Sequence, residues 1–567
     1  MKAIKRLLLP CMLVLGLTTS CVKDLDTEPT DGNLVTAEQI YRDPKSYESV
    51  LAKCYASLSL TGQQGPTGKP DIENFDEGYS AFVRLYFYLQ VVSTDEALMG
   101  SRTNGIREFV TMDWSASTPI LQGIYSRLYQ TIGYTNEFLR QSTPAKLASR
   151  GHSKDLELVA KVEAARVEAR FIRAYCYYVI CDAFGSAPFA DENTTFGSST
   201  DLPKQKTRLE IFNFVEKELL DVEKHLKDPK TQLYGRVDKA AAWFLLSRLY
   251  LNAEVYTSSK WPDVKGTARW NEAATYAEKV ITSGYKLSPR YIFNFMADNN
   301  SSSEIIWPLV ADGIHAKTYG GTTFFIKAQS GGGMFNFADI TKAMGIQSGW
   351  GNIRVRAPFV DKFNEADVPC EPTDIYFGEL KADKRALFFT IGHSKEMDAL
   401  NSTYTNGYAF TKWRNSYKDG SAGKDPEFTD TDFPLFRSAE AYLIYAEAVL
   451  RGATTGTTGK ALEYVNTVRN RAYESGEFGS SDVSGEIAPD RLTLDFILDE
   501  RSRELSWELV RRTDLIRYNR YTGDSYVWPW KGNVKDGKGV NSKFNLFPIP
   551  ASDIAANPNL TQNPDFK

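Results

Sequence analysis

Apolar positions recur at helical spacing in several long runs. From about Leu156 to Asp182 through Gly185, the residues Val162, Ala165, Val167, Ala169, Ile172, Ala174, Tyr175 and Tyr178 build a broad apolar face, and Gly185 with Pro188 ends the run. A second run, about Thr207 to Leu226, places Leu209, Phe212, Val215, Leu219, Leu220 and Val222 near the 3.6-residue period. A third, about Asp238 to Tyr256, is rich in Ala and Leu. A fourth starts near Trp270 and passes through Ala273, Ala274, Ala277 and Val280 to a stop at Gly284. Ser438 to Arg451 and Lys460 to Tyr473 form a further pair, divided by the Gly/Thr segment Gly452 to Gly459. Towards the C-terminus, Ile497, Leu498, Leu505 and Leu509 face inward on one amphipathic helix, where Asp499 with Arg503 and Glu508 with Arg512 stand at i, i+4. The pattern predicts a mainly α fold.

Small residues at facing positions permit close helix approach. Ala240-Ala241-Ala242 through Tyr250, taken with Trp270 through Tyr285, resembles one tetratricopeptide unit, and repeated helix pairs predict a solenoid-like half. Residues 301–431 change character, with many Gly, Asn and aromatic residues and no sustained helical period. Gly331-Gly332-Gly333, Gly345, Gly349 and Gly351 predict irregular loops that display Tyr319, Phe335, Phe337 and Trp350. The mixed stretch from Thr61 to Ser117, with Asp95, Glu96, Arg102, Asn104 and Trp114, is placed as the other wall of a site.

The first residues bring in a compartment. Lys2, Lys5 and Arg6 precede an apolar stretch, Leu7 to Leu17, too short to span a bilayer, so residues 1–20 are expected to be a secretion signal. It ends in Leu17-Thr18-Thr19-Ser20-Cys21, which resembles the lipobox of bacterial lipoproteins. That resemblance implies that Cys21 becomes a lipidated N-terminus, anchored by acyl chains at about 0.8 kcal/mol per buried methylene. Lys23, Asp24, Asp26 and Glu28 form a tether similar to those that send lipoproteins to the cell exterior in the Bacteroides-like group. Cys11 leaves with the signal, and Cys54, Cys176, Cys181 and Cys370 do not suggest a disulfide framework. Cys176 and Cys181 share one predicted helix with roughly 7 to 8 Å of rise between them, beyond bridging geometry.

Composition narrows the chemistry. The 567 residues include 67 basic and 71 acidic side chains, a net charge of -4 that argues against a nucleic-acid partner. His152, His225, His315 and His393 are scattered without metal-ligand spacing, and there is no Gly-x-Ser-x-Gly elbow, which disfavours zinc and serine hydrolases. A glycosidase needs only two carboxylates close in space, so it stays open beside a structural lipoprotein or adhesin. The 30 Tyr, 32 Phe and 10 Trp offer either a well-filled core or flat faces on which sugar rings stack. For a glycan, Trp350, Tyr319 and Phe335 are the candidate faces, and Asp95, Arg102 and Asn104 the candidate polar rim.

Several segments together resemble the SusD/RagB family of nutrient-binding lipoproteins. They are Ser93-Thr94-Asp95-Glu96-Ala97, Glu168-Ala169-Arg170-Phe171-Ile172-Arg173-Ala174-Tyr175 with Phe184-Gly185, and Tyr442-Leu443-Ile444-Tyr445-Ala446-Glu447-Ala448. Leu498-Asp499-Glu500-Arg501-Ser502-Arg503-Glu504-Leu505, Asp514-Leu515-Ile516-Arg517 and the tail from Leu546-Phe547-Pro548-Ile549-Pro550 to Asn563-Pro564 complete the set. The resemblance implies a SusD-like fold, with four tetratricopeptide-like helix pairs packed against a loop-rich, irregular ligand-binding half. On this reading the body of 21–567 divides into an N-terminal part with site loops (21–130), helix pairs (150–300), the loop-rich ligand region (301–431) and C-terminal helices with the signature tail (432–567). It further implies an outer-membrane, lipid-anchored, surface-exposed protein that is not an enzyme. Such a protein binds an oligosaccharide, or in some members a peptide, and delivers it to a SusC-like TonB-dependent transporter. No cofactor is expected, though a structural calcium is compatible with the loops.

Overall fold

The computed structural model describes residues 35–66, 68–100, 105–194, 201–369, 382–400, 403–473 and 484–566. Cys21, Arg102, Asn104 and Cys370 lie outside them. The described body is mainly helical, and its strands are short two-stranded ladders.

Helices pack pairwise along the chain: α1 (Lys45–Ser59) with α2 (Pro119–Gln141), α3 (Leu156–Ala183) with α4 (Arg208–Val222), and α5 (Lys239–Leu251) with α6 (Trp270–Ile281). The loop-rich half intervenes, carrying α7 (Gly321–Gln329), and then α8 (Ser438–Leu450) pairs with α9 (Thr458–Tyr473). Local signals start these helices where the pattern places them. Asp155 accepts from the Leu158 N–H at 3.0 Å, Thr207 and Glu210 form a reciprocal capping box, and Asp238 accepts from Ala240 at 2.9 Å. Ala240, Ala241 and Ala242 are wholly buried, which is what lets α5 approach its neighbours closely. The third apolar run is interrupted at Asn252, whose Oδ1 accepts from Arg517 at 2.8 Å, and Ala253–Tyr256 forms a separate turn.

Two ladders position the loop-rich half. β1 (Ala97–Met99) and β3 (Ile353–Val355) pair antiparallel with Leu98 opposite Arg354, joining the N-terminal part to the loops. β2 (Ile305–Leu309) and β4 (Phe433–Arg437) pair antiparallel with Ile305 opposite Arg437, so the excursion between them leaves and rejoins the body at one place. The expectation of no helix in this half is corrected by α7 and by Ala338–Met344. Thr322 through Gln329 are all buried, and a helix covered on every side shows no amphipathic period. Phe325 of α7 stacks on Trp413 (5.2 Å between ring centres), which stacks on Phe433 of β4 (5.1 Å).

The C-terminal segment is also corrected. It is two helices, α10 (Leu494–Leu505) and α11 (Arg511–Arg517), separated by a break in which Trp507 and Leu509 take left-handed φ of 62° and 65°. The expected i, i+4 pairs do not form. Asp499 meets Lys362 at 3.2 Å, Arg503 meets Glu500 at 2.7 Å, and Arg512 meets Asp182 at 3.2 Å. Glu508 is turned into the core, where Arg437 contacts it at 2.6 Å and Lys412 at 2.6 Å. Around it Arg437 also holds Glu304 (2.7 Å) and Glu504 (2.6 Å), while Arg385 holds Glu500 (2.7 Å) and Asp383 (2.8 Å). A left-handed residue other than Gly costs of order 1–3 kcal/mol. Here that strain is offset by aiming Glu508 and the Trp507 N–H at buried partners. The tail docks as a strap interrupted by a short helix, Ala551–Ala556: Phe547 N–H donates to Ala183 at 2.8 Å, and Asn563 Nδ2 donates to the Phe184 carbonyl at 2.7 Å.

Cys54, Cys176 and Cys181 are buried free thiols, as the helical rise between the latter two requires. Among the described residues no helix is long and apolar enough to cross a membrane.

Candidate functional site

Trp350 is the one tryptophan of the ten that stands in the open, at 40% exposure, while Trp307, Trp413, Trp507 and Trp528 are fully buried. Its place is set by α7. The last carbonyls of that helix have no partner within it, and the passing chain supplies them: Trp350 N–H donates to Lys327 at 2.6 Å, Asn352 N–H to Ala328 at 2.9 Å, and Gly351 N–H to Ser330 just beyond at 2.7 Å. A Cβ on Gly349 would lie 2.1 Å from the Ser330 carbonyl oxygen, so only glycine permits this approach. The sequence ties the ring to a rigid edge and leaves its face free.

Tyr319, just before α7, is half-buried beside it. Its ring centre lies 6.2 Å from that of Trp350, with the planes inclined at 48°, and 5.0 Å from that of Phe428. The Tyr319 N–H donates to Glu77 at 3.0 Å. Asp425 shapes the opposite loop by accepting from the Glu427 and Phe428 N–H groups at 2.8 and 3.0 Å. Charged groups ring the aromatics: Lys317 meets Asp425 at 2.7 Å, and Lys327 meets the half-open Glu427 at 2.7 Å. Burial raises the Tyr319 hydroxyl, with Glu427, Glu77 and Asp425 adding to it, so the ring stays neutral. Burial alone would raise Asp425, but the hydrogen bonds from Lys317 and from the Phe428 and Glu427 N–H groups outweigh it and hold that carboxyl below its usual range. The result is a neutral, bent aromatic surface edged by an ammonium and carboxylates, able to stack on one face of a ring and to hydrogen-bond around its edge.

The structure brings together two of the six expected contact residues, Tyr319 and Trp350. Phe335 lies half-buried on a separate turn, Gly332–Asn336, and makes no ring contact with that pair. Arg102 and Asn104 lie outside the described residues. Asp95 is corrected: it is fully buried, with both oxygens taken by Arg511 (2.8 and 2.7 Å), a hydrogen bond from Tyr526 (2.7 Å) and Lys362 at 3.3 Å. Burial would raise its carboxyl, but Arg511 and Lys362 outweigh this and drive it far below the usual range. A carboxylate so engaged joins the N-terminal part to α11 and does not rim a ligand. Phe428, Lys317 and Glu427 escaped the sequence reading, and the only local sign was the turn chemistry of Asp425-Pro426. Among the described residues no cluster of His, Cys, Asp or Glu could hold a metal ion.

Glu96 beside Asp95 behaves oppositely. Burial pushes it up to about 7, Arg511 opposes this and Asp95 adds to it, while its oxygens accept from Ser502 (2.9 Å) and the Trp507 N–H (3.1 Å). A carboxyl raised in the folded state contributes stability that is full below the unfolded value and is lost as pH rises through about 7. Glu96→Gln should therefore stabilise the fold by roughly 1–3 kcal/mol more at pH 8 than at pH 4. Denaturation midpoints across that range check it, and a pH-independent difference would refute the assignment.

Fold and site define a helical binding protein whose loops hold a bent aromatic platform. The chain belongs to the SusD family: a profile of that family matches residues 383–566, and the whole body has a relative well above the level of chance. It is 35% identical to the starch-binding protein SusD of Bacteroides thetaiotaomicron, over 97% of this chain and 96% of that protein. A SusD-like protein, P2, of Formosa agariphila is 23% identical over 97% of this chain and 98% of its own length. Among solved structures, a SusD superfamily protein from Parabacteroides distasonis superposes with a TM-score of 0.65 at 20% identity, covering 94% of this chain and all of that one. Surface glycan-binding protein A from Bacteroides thetaiotaomicron, in complex with laminarihexaose, superposes with a TM-score of 0.62 at 18% identity, covering 92% of this chain and 99% of that one.

Proposed function

We propose that this protein is a surface lipoprotein that captures a glycan on the Tyr319–Trp350 platform and passes it to a SusC-like TonB-dependent transporter, without cleaving it. The observation that carries the reading is the exposed Trp350 face beside Tyr319, edged by Lys317 and Glu427. A pyranose has an apolar face and a rim of hydroxyls, and the platform offers an aromatic face to the first and charged donors and acceptors to the second. The 48° inclination suits successive rings of a chain that curves. Kinship with a starch-binding protein makes α-glucan the first ligand to test.

Protein beginning after Cys21 should be retarded in native gels containing starch and should release no reducing ends. Appearance of reducing ends would favour a glycosidase, and binding of oligopeptides in place of any glycan would favour the peptide carriers of the family. Anchoring is tested separately: a clickable palmitate analogue should label the full-length protein in a bacterium with surface lipoproteins, and Cys21→Ala should abolish the label. Persistence of label in the variant would remove Cys21 as the anchor.

A further inference from the structure

The platform does not end at Phe428. The Lys317 ammonium lies 5.2 Å from the centre of the Phe428 ring, and the same residue lines a hollow of about 890 Å³. That volume lies within the range of sites that enclose ligands. One wall is the outer face of α1, with Lys53. The facing wall is the loop after α1, with Gln64 and Lys69, and Tyr134 of α2 and His315 complete the lining. Hollow and platform share one fastening. The buried Glu77 accepts from the hydroxyl of Thr61 at the root of that loop, from the hydroxyl of Thr318, and from the Tyr319 N–H. Lys317 and Tyr319 are two residues apart, at most ~7 Å of extended chain.

The lining is chemically specific. Lys53 lies 4.4 Å from the centre of the Tyr134 ring, and neither Lys53 nor Lys69 has a carboxylate partner among the described residues. Asp71, the carboxylate in the wall, is already held by Arg127 at 2.6 Å. The hollow therefore presents two ammonium groups without carboxylate partners, the Gln64 NH2 group and one aromatic ring, set in a wall that Ala52, Ala56, Leu60 and Ile314 make partly aliphatic. That set matches a ligand dense in hydroxyl oxygens.

We propose that the glycan site continues from the aromatic platform into this hollow, so that the ligand is an extended sugar chain whose units beyond the platform are held by Lys53, Gln64 and Lys69. The proposal rests on the glycan reading of the platform. Lys53 and Lys69 are exposed side chains, so their removal should leave the fold intact.

Isothermal titration with maltotriose and maltoheptaose, and in parallel with laminaritriose and laminarihexaose, tests it on the mature chain. The longer member of the ladder that binds should bind about tenfold more tightly, the yield of one or two added hydrogen bonds. A Lys53→Ala, Lys69→Ala double variant should lose most of that advantage while binding the trisaccharide as the wild type does. A length advantage that survives in the double variant would overturn the extension. Equal affinity for short and long chains, abolished by Trp350→Ala, would overturn the extension alone and leave the platform standing. Failure of every oligosaccharide to bind would overturn the glycan reading and the extension with it.

Discussion

Replacing Trp350 by alanine should weaken oligosaccharide binding about thirtyfold, ~2 kcal/mol, and leave the melting temperature nearly unchanged. The ring is partly exposed in the free protein, and what fixes the loop is the backbone: the N–H groups of Trp350, Gly351 and Asn352 bind the end of α7 whatever side chain sits at 350. Truncation therefore removes contact area from the ligand without opening a cavity in the core. Trp350→Phe, which keeps a smaller face, should fall between the two. Tyr319 is a poorer test, because its ring also packs on Phe428 and its loss would disturb the platform from beneath. Unchanged affinity of the Trp350→Ala variant would remove the platform from the site.

The second large effect lies in the buried core. Arg437→Ala should destabilise the protein by about 3–5 kcal/mol, read as a drop in the urea midpoint. Arg437 is buried where β4 meets the C-terminal helices and contacts Glu304, Glu504 and Glu508 together, with Arg471 sharing the first two and Arg385 reaching Glu504 at 3.1 Å. Its removal leaves three carboxylates in a core that Lys412, Arg471 and Arg385 neutralise only in part. Burial already pushes the Lys412 ammonium down to about 8 despite Glu508 beside it, which shows how little solvent reaches this cluster. The contrasting control is Lys161→Ala, which breaks a pair with Glu157 on the open face of α3 and should leave the midpoint where it was. Equal effects from the two substitutions would contradict the buried network.

The sequence made the helix pairs legible where three signals coincide: an apolar face of period 3.6, a capping side chain and a breaker. Asp155, Thr207 and Asp238 start helices that end at Gly185, at Glu223 and at Asn252, while the helix stopped by Gly284 starts at Trp270 without a capping side chain. The site was legible to the extent that an aromatic residue among glycines, such as Trp350, is hard to bury. What stayed hidden was tertiary. The segment around Asp95 and Glu96 reads as a polar rim, yet its partners Arg511, Ser502 and Trp507 arrive from more than four hundred residues away. No Gly or Pro marks the break at Ser506 to Val510, because it is imposed by the burial of Glu508 against Arg437 and not by local preference. Phe428 enters the platform only because Gly313 lets its carbonyl approach to where a Cβ would stand 2.4 Å away, a contact spanning more than a hundred residues.

The pairing of β2 with β4 sets how the loop-rich half is hung on the helical frame. Since the chain departs and returns through neighbouring strands, the segment between Val310 and Asp432 has one doorway into the helical frame, and the β1–β3 ladder seams it to the N-terminal part besides. Lengthening such a loop costs free energy only as the logarithm of its length, and the frame on the far side of the doorway is not displaced. The same scaffold can thus be fitted with different ligand faces, as a handle takes different blades, and exchanging that cassette between two such scaffolds is a direct route to changing what each one holds.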